Sequence, residues 1–215
     1  MDGGFSRMRI IKPEAVLETP YSQEEILKLL EKAGRVCYKS ESNISEGSAE
    51  KFISNILKRG HESVIEHVSL TFRVVCDRGV SHEIVRHRIA SYSQESTRYC
   101  NYHSDKFSNE LTVIDPLFWD KNSKQYSIWL ESIKKCEENY NALIELGATP
   151  QEARSILPNS LKTEIFMTMN LREWRHFLKL RYSKSAHPQM VEVARLIRNE
   201  LVTRYPVIFG DSEFM

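Results

Sequence analysis

Residues 68–74 read Val-Ser-Leu-Thr-Phe-Arg-Val, and apolar side chains occupy every second position of this stretch. A period of two places those side chains on one face of a half-buried strand. The same alternation returns at Leu161, Thr163, Ile165, Met167 and Met169. The two stretches therefore predict two strands that lie far apart in the sequence.

Helical patterns surround both strands. Apolar residues recur three and four positions apart, and several of these stretches begin at a capping box or a proline and end at a glycine. The predicted helices cover residues 22–37, 48–60, 81–89 (with Ser81 as the N-cap), 126–147, 170–178 and 188–201, together with a helix that opens at Thr149. Strands and helices do not alternate as β-α-β units. We therefore predict an α+β fold, with helices packed around a small, mostly antiparallel sheet in a single domain over residues 1–215.

The composition is that of a globular protein with balanced charge. The chain has 215 residues, with 30 Lys and Arg against 29 Asp and Glu, and 41% of its residues are hydrophobic. A net charge of +1 argues against a protein that wraps duplex nucleic acid. No run approaches the roughly 18 apolar residues of a membrane span. Four scattered cysteines without a C-x-x-C pair indicate free thiols, so we expect a cytoplasmic protein.

The densest polar cluster is Arg86-His87-Arg88, which precedes a Ser-rich polar segment, Ser91–Asn101. If the two arginines are helical they lie about 200° apart, so they serve two ligands, or one ligand and a subunit interface. Hydroxyls and backbone N–H groups of the segment, with the guanidinium of Arg98, are suited to a phosphate. A solvated basic turn explains the same residues equally well.

Two further clusters combine charge with rings or carboxylates. Residues 60–67 contain two His and two Glu, which suggests a metal site, but the histidines are six positions apart and fit a capping role at least as well. On the helix after Asn170, Arg172 and His176 share one face, and Phe177 and Arg181 share the next. Cations beside aromatic rings could hold a planar anion, whereas an amphipathic helix with an aromatic core face is the simpler alternative.

Several stretches together resemble the flavin-dependent thymidylate synthases. Residues 86–99 read Arg-His-Arg-Ile-Ala-Ser-Tyr-Ser-Gln-Glu-Ser-Thr-Arg-Tyr, which is similar to the family signature of Arg-His-Arg, seven residues and Ser. Residues 60–67 are similar to its G-H-E-[ST]-x-x-E-H segment. Ala153-Arg154, Asn170-x-Arg172 and Leu180-Arg181 resemble its C-terminal elements, so the resemblance covers roughly residues 20 to 205.

The resemblance implies the reductive methylation of dUMP to dTMP without an enzyme nucleophile. Methylenetetrahydrofolate would donate the carbon, and FAD, reduced by NADPH, would supply the hydride. It also implies a homotetramer whose active sites are shared between chains, with no nucleic acid, membrane or metal involved.

The resemblance also implies a role for individual residues. The residues that would line the FAD site are His61, Ser63, Glu66, Arg86, His87, Arg88, Asn170, Arg172 and His176. Those that would hold dUMP are Glu83, Ile84, Val85, Arg86, Gln94, Glu95, Ser96, Thr97, Arg98, Arg154 and Arg181. Arg181 would be the catalytic cation that favours an ionised pyrimidine. No role follows for His187.

Two rival functions remain open at this level. A single-stranded nucleic-acid binder could use Arg86, Arg88 and Arg98, with Tyr92, Tyr99 and Tyr102 as stacking platforms, although the near-zero net charge disfavours it. A metal-dependent phosphohydrolase could instead be built on His61, Glu62, Glu66 and His67.

Overall fold

Two nine-residue strands, β3 (Ser69–Asp77) and β6 (Lys162–Asn170), are the predicted alternating stretches. They are the inner strands of a four-stranded antiparallel sheet of order β2-β3-β6-β4, where β2 is Glu14–Leu17 and β4 is Ser91–Gln94. Alternate side chains of β6 are fully buried, as a period of two requires. The α+β prediction with a small, mostly antiparallel sheet is confirmed.

The computed structural model describes residues 8–100, 102 and 110–210. Besides these strands it contains β1 (Arg9–Ile11), β5 (Thr112–Ile114), α1 (Gln23–Val36), α2 (Ser48–Lys58), α3 (Arg78–Ile84), α4 (Lys124–Glu145), α5 (Pro150–Ala153), α6 (Leu171–Arg181), α7 (Pro188–Arg204) and α8 (Pro206–Phe209). The capping boxes predicted at Ser22 and Thr149 are both formed. None of the helices described combines the length and apolar character needed to cross a membrane.

Two local predictions are wrong. The third helix begins after Asp77, whose Oδ1 accepts a hydrogen bond from the Val80 N–H at 2.8 Å, and Ser81 is a buried residue inside it. The helix also ends at Ile84, so the two arginines of the Arg-His-Arg motif are not helical and the 200° argument does not apply. The Ser-rich segment contains the edge strand β4 instead of being wholly a loop; its predicted end, Asn101, lies outside the described residues.

The chain forms two compact units. Unit 1 contains the described residues of 8–14, 75–85 and 93–165, and unit 2 contains residues 15–74, 86–92 and 166–210. All four strands of this sheet, β2, β3, β4 and β6, pass from one unit into the other along the chain. The prediction of one domain over residues 1–215 stays a prediction.

Unit 1 has its own apolar core and a small parallel strand pair. β1 pairs with β5 in the register Arg9 to Thr112. The core residues are Tyr102, Leu111, Val113, Ile133, Tyr140, Ala153 and Leu161. The backbone N–H of Leu111 donates to the buried carboxylate of Glu137 at 2.9 Å. This hydrogen bond connects the residue before β5 to α4.

The core of unit 2 is centred on Trp174, which is completely buried in α6. Its indole N–H donates to the carbonyl of Leu70 at 3.1 Å, and its ring lies 4.9 Å from Phe72 and 5.6 Å from Phe177. Satisfying the indole N–H in an apolar core avoids the cost of a buried unpaired donor. The contact fixes α6 against β3, and α7 packs against α6 in turn.

Replacing Gly34 with Ala tests how tightly α1 packs in unit 2. A Cβ at this position would lie 2.7 Å from a ring carbon of Phe52, whose ring is itself covered by the Arg35 guanidinium at 4.5 Å. Overpacking costs about 1–3 kcal/mol, more than the roughly 1 kcal/mol that Ala gains over Gly in a helix. We expect Gly34→Ala to lower the free energy of unfolding in urea, and Phe52→Leu in the same chain to restore part of it. A more stable Gly34→Ala protein would contradict this packing.

Candidate active site

The strand β6 passes directly into the helix α6 at Asn170, with no loop between them. The Asn170 side-chain oxygen accepts a hydrogen bond from the Glu173 N–H at 2.9 Å, which caps the helix as the sequence predicts. With the start of α6 fixed, its 3.6-residue period directs Trp174 into the core and Arg172 and His176 to one cavity. Arg181, at the other end of α6, reaches His87.

His87 is a buried imidazole whose two ring nitrogens both have partners. Its Nδ1 lies 3.0 Å from a carboxylate oxygen of Glu173, and its Nε2 lies 3.1 Å from Nε of Arg181. An arginine only donates hydrogen bonds, so Nε2 must be the acceptor, and the ring proton is on Nδ1 and is donated to Glu173. The imidazole is therefore neutral in this arrangement.

Electrostatics agree with a neutral ring. Burial lowers the pKa of His87, the hydrogen bond to Glu173 opposes that change, and the Arg181 cation lowers the pKa further. Phe177 packs against the ring at 4.9 Å, and the hydroxyl of Tyr92 donates to the His87 carbonyl at 2.7 Å. Burial, together with the nearby Glu173 carboxylate, raises the pKa of Tyr92 to about 12. Tyr92 thus remains a phenol that fixes the loop.

A cavity of about 540 Å³ opens beside these residues in unit 2. Its lining is strongly charged and consists of Glu62, Glu66, Ile89, Asn170, Arg172, Glu173, Arg175, His176 and Lys179. The volume is within the range of small-molecule sites. Three acidic and three basic side chains line it, so neither charge is in large excess.

The 3₁₀ segment Glu62–His67 supplies one wall of the cavity, and ion pairs connect it to α6. Arg172 donates to Glu66 at 2.6 Å and lies 3.8 Å from Glu62. Arg175 is buried, donates to Glu62 at 3.0 Å and also donates to the carbonyl of Ile208 in α8. The carboxylates are therefore engaged by arginines, which does not match a metal site on residues 61–67.

A different group of side chains has metal-ligand spacing. Ligand atoms of His87, Glu173 and His176 lie within 4.8 Å of one another. In this arrangement, however, Nδ1 of His87 carries a proton that is bonded to Glu173, and Nε2 accepts from Arg181. Neither imidazole nitrogen of His87 offers a lone pair to a cation.

Unit 1 contains a second polar cluster around the segment after β4. The side-chain amide of Gln94 donates to Ser81 at 2.9 Å and to Thr163 at 3.1 Å, so it bridges α3 and β6. Glu95 pairs with Lys162 at 2.8 Å and accepts from Tyr102 at 3.1 Å.

Arg154 lies in a 3₁₀ turn just after α5 and not inside that helix. It donates to the Thr97 hydroxyl at 3.4 Å, while the Arg98 guanidinium stacks over the ring of Tyr99 at 5.4 Å. Two cations therefore flank the segment after β4 in unit 1.

The structure brings together part of each predicted residue set. Four residues predicted for FAD line the cavity, namely Glu66, Asn170, Arg172 and His176. The other five belong to unit 2 without lining the cavity, namely His61, Ser63, Arg86, His87 and Arg88. Of the residues predicted for dUMP, Arg86 and Arg181 belong to unit 2. Those in unit 1 are Glu83, Ile84, Val85, Gln94, Glu95, Ser96, Thr97, Arg98 and Arg154; the side chain of Ile84 is fully buried.

Sequence reasoning missed Glu173, Arg175 and Lys179 as residues of the site. Glu173 stands three positions after the N-cap of α6, where an acidic residue is expected for capping alone. Nothing in its spacing reveals that a histidine from a distant part of the chain meets it. His187, which had no predicted role, is the N-cap of α7, and its Nδ1 accepts from the Gln189 N–H at 3.3 Å.

Comparison with known proteins places this chain in a family. The family model described as thymidylate synthase complementing protein, Thy1, matches residues 21–207. The flavin-dependent thymidylate synthase of Geobacter sulfurreducens is 35% identical over 191 residues, covering 84% of this chain and 79% of that protein. Its counterpart from Pyrococcus furiosus is 40% identical over 162 residues, but this chain spans only 66% of that relative.

Solved structures agree on the fold. The UMP/dUMP methylase PolB from Streptomyces cacaoi, bound with 5-Br dUMP, superposes with a TM-score of 0.75 at 24% sequence identity and covers 94% of this chain and 96% of that one. The same protein bound with 5-Br UMP also gives a TM-score of 0.75.

The chain belongs to the flavin-dependent thymidylate synthase family. It is an enzyme of that family, and the predicted thymidylate synthase function with a flavin cofactor is confirmed. Membership of the family favours the synthase over the nucleic-acid-binding and phosphohydrolase alternatives. Two of the three proposed stacking tyrosines are also unsuited to that role, since Tyr92 is half-buried and Tyr102 is buried.

Replacing Glu62 and Glu66 in turn tests the wall of the cavity. Glu62→Ala removes the carboxylate from the buried Arg175, and breaking such a pair typically costs roughly 3–5 kcal/mol. Because the Glu62 side chain is 30% exposed, we expect about 2–3 kcal/mol in urea unfolding. Glu66→Ala is the matched control, since its partner Arg172 is half-exposed and a surface pair contributes about 0–1 kcal/mol. Equal losses for the two variants would show that Arg175 does not depend on Glu62.

Proposed function

We propose that this chain methylates dUMP to dTMP, using Arg181 as the cation that activates the pyrimidine. The observation that carries the proposal is the hydrogen bond from Arg181 Nε to the neutral ring of His87, which holds a guanidinium at a defined place. Negative charge that builds up on a pyrimidine makes its C5 nucleophilic. A preorganised cation beside the ring stabilises that charge before and during the reaction.

FAD would bind along the charged cavity of unit 2. Arg172 and Lys179 on the cavity wall are suited to the two negative charges of a pyrophosphate, and His176 offers a polar ring edge. Asn170 also lines the cavity, while His61, Ser63, Glu66, Arg86, His87 and Arg88 complete the proposed set by position. The chemistry that the flavin supplies when bound is the delivery of a hydride.

The fit of the cavity to an anionic cofactor rests on exchangeable ion pairs. The Arg172 side chain is 53% exposed, and its partner Glu66 is 42% exposed, so a phosphate could replace the carboxylate at small cost. The buried pair of Arg175 with Glu62 would keep the wall in place during that exchange. The residues present therefore fit a flavin nucleotide.

The residues proposed to hold dUMP are those that the family resemblance assigns to it. The guanidiniums of Arg98 and Arg154 are suited to the phosphate, and Ser96 would provide a hydroxyl near it. Ser96 is not proposed as a nucleophile, because a serine needs an adjacent general base. Within the described residues its Oγ accepts from the Arg98 N–H at 3.3 Å, and no imidazole or carboxylate is bonded to it.

Membership of the family supports the remaining elements of the proposal. NADPH and methylenetetrahydrofolate are the proposed co-substrates, and the chain is proposed to act in the cytoplasm as a homotetramer with shared active sites, each chain being a single domain. Four free thiols are consistent with a reducing compartment.

Replacing Arg172 with Ala tests the cofactor site. Charge-assisted hydrogen bonds to a phosphate contribute about 1.5–3 kcal/mol, so FAD should bind roughly 10- to 100-fold more weakly to the variant. Fluorescence quenching of added FAD measures the affinity. Arg195→Ala is the control, since Arg195 is 45% exposed on α7 and pairs with Glu192 three positions before it. Wild-type affinity in Arg172→Ala would remove Arg172 from the site.

Replacing Ser96 and Arg181 separately tests the chemistry. Without the cation, turnover should fall by about 10²-fold or more in Arg181→Ala, as when an electrostatic stabiliser is removed. Ser96→Ala should keep measurable turnover with weaker dUMP binding, because no step needs its hydroxyl as a nucleophile. Formation of dTMP at saturating dUMP is the measurement. An inactive Ser96→Ala that binds FAD and dUMP normally, beside an active Arg181→Ala, would overturn this mechanism.

A further inference from the structure

We propose that Glu173 is a positioning residue for Arg181, acting through His87, whose tautomer it fixes. The inference rests on the proposed role of Arg181 as the activating cation. It concerns a carboxylate that neither the sequence motifs nor the proposed binding sets include. The three side chains form a chain of hydrogen bonds from the first turn of α6, through His87, to the last residue of α6.

The first link is the carboxylate itself. Glu173 is 8% exposed, and its backbone N–H is held by the N-cap Asn170. A carboxylate near a helix N-terminus is favoured by the helix dipole, and an ionised carboxylate can only accept hydrogen bonds. It therefore selects the form of His87 that carries its proton on Nδ1.

The second link is the opposite nitrogen of the same ring. With the proton on Nδ1, Nε2 presents a lone pair, which the Nε–H of Arg181 uses at 3.1 Å. If the proton were on Nε2 instead, two donors would face each other and the contact would be lost. The identity of the tautomer thus decides whether the guanidinium is anchored.

The third link is the geometry that the anchor imposes. An arginine side chain has many rotamers, and fixing its Nε determines the plane and direction of the whole guanidinium group. The ring of His87 cannot move to accommodate a different position, since Phe177 packs against it at 4.9 Å and Tyr92 holds its backbone carbonyl. If the Arg181 guanidinium were free to adopt several orientations, turnover would fall, because a misplacement of about 1 Å can cost about 10²-fold in rate.

The test compares Glu173→Leu with Glu173→Gln. Leu leaves the Nδ1–H without an acceptor and so removes half of what stabilises the tautomer that Arg181 needs. The Nε2–H form, in which Arg181 detaches, should therefore become more populated. We expect kcat for dTMP formation to fall about 10- to 100-fold in Glu173→Leu. Glu173→Gln keeps a side-chain oxygen that can accept from Nδ1, and should retain most of the turnover. Glu31→Leu is the control, because it removes a buried carboxylate of unit 2 that pairs with Arg35 and Ser48 instead; its kcat should match the wild type.

A readout that does not depend on turnover accompanies the kinetics. ¹⁵N-histidine NMR of the protein without dUMP reports which ring nitrogen carries the proton, and His87→Gln identifies the signal. The wild type should show the neutral Nδ1–H form, and Glu173→Leu a larger share of the Nε2–H form. A wild-type ring protonated on Nε2, or wild-type kcat in Glu173→Leu, would overturn the proposal. A wild type that makes no dTMP while showing the expected tautomers would instead refute the proposed function alone.

If Glu173→Leu does not fold, a second pair of variants tests whether turnover depends on the hydrogen bond between His87 and Arg181. His87→Gln places a side-chain oxygen near the position of Nε2 and can still accept from Arg181. His87→Asn retains a donor near the position of Nδ1 for Glu173 but offers nothing to Arg181. We expect His87→Gln to turn over about tenfold faster than His87→Asn, given the rate cost of misplacing a catalytic group. Equal rates, or a faster His87→Asn, would overturn the proposal.

Discussion

The hydrogen bond from the Glu173 N–H to the Asn170 side chain is the constraint on which the site depends. It fixes where β6 stops and α6 starts, and no loop separates the two elements. A shift of one residue would rotate every side chain of α6 by about 100°. Trp174 would then leave the core, and Arg181 would no longer meet His87. The cap therefore sets the register of both the core and the site.

Two arginines of α6 have carboxylate partners in the wall of the cavity. Arg175 is buried and is paired with Glu62, while the more exposed Arg172 is paired with Glu66. The two ion pairs differ in how much stability is lost when they are broken. Removing the partner of a buried charge lowers the free energy of unfolding strongly, whereas an exposed pair can exchange partners with little loss of stability. One arginine of α6 therefore holds the wall of the cavity, and its neighbour on the exposed side can respond to an anionic ligand.

A neutral histidine among several arginines follows from the same electrostatics. Burial disfavours a charged imidazole, and a nearby guanidinium disfavours it again. The carboxylate of Glu173 does not reverse this result, because it accepts the proton of Nδ1 in a hydrogen bond without requiring a second proton on the ring. His87 can consequently connect an anion to a cation while remaining uncharged itself.

The sequence alone determined the elements whose signals are local. The capping boxes at Ser22 and Thr149, the N-cap at Asn170 and the two alternating strands need only neighbours a few positions away, and all of them are present. The spacing of Arg172 and His176 likewise predicted a shared face, because the helical period is fixed by backbone geometry. The family resemblance also rests on short motifs, each of which is recognisable from neighbouring residues alone.

The tertiary structure decided what depends on residues distant in sequence. The segment after Arg88 contains an edge strand because β6 lies beside it, and a run of serines carries no strand pattern of its own. Asp77, and not Ser81, caps α3 because the end of β3 places its carboxylate at the first turn. Glu173 meets His87 across 86 positions of sequence, and that contact fixes a tautomer which no local pattern can encode. Short-range hydrogen bonds are visible in the order of residues, whereas burial and long-range partners exist only once the chain has folded.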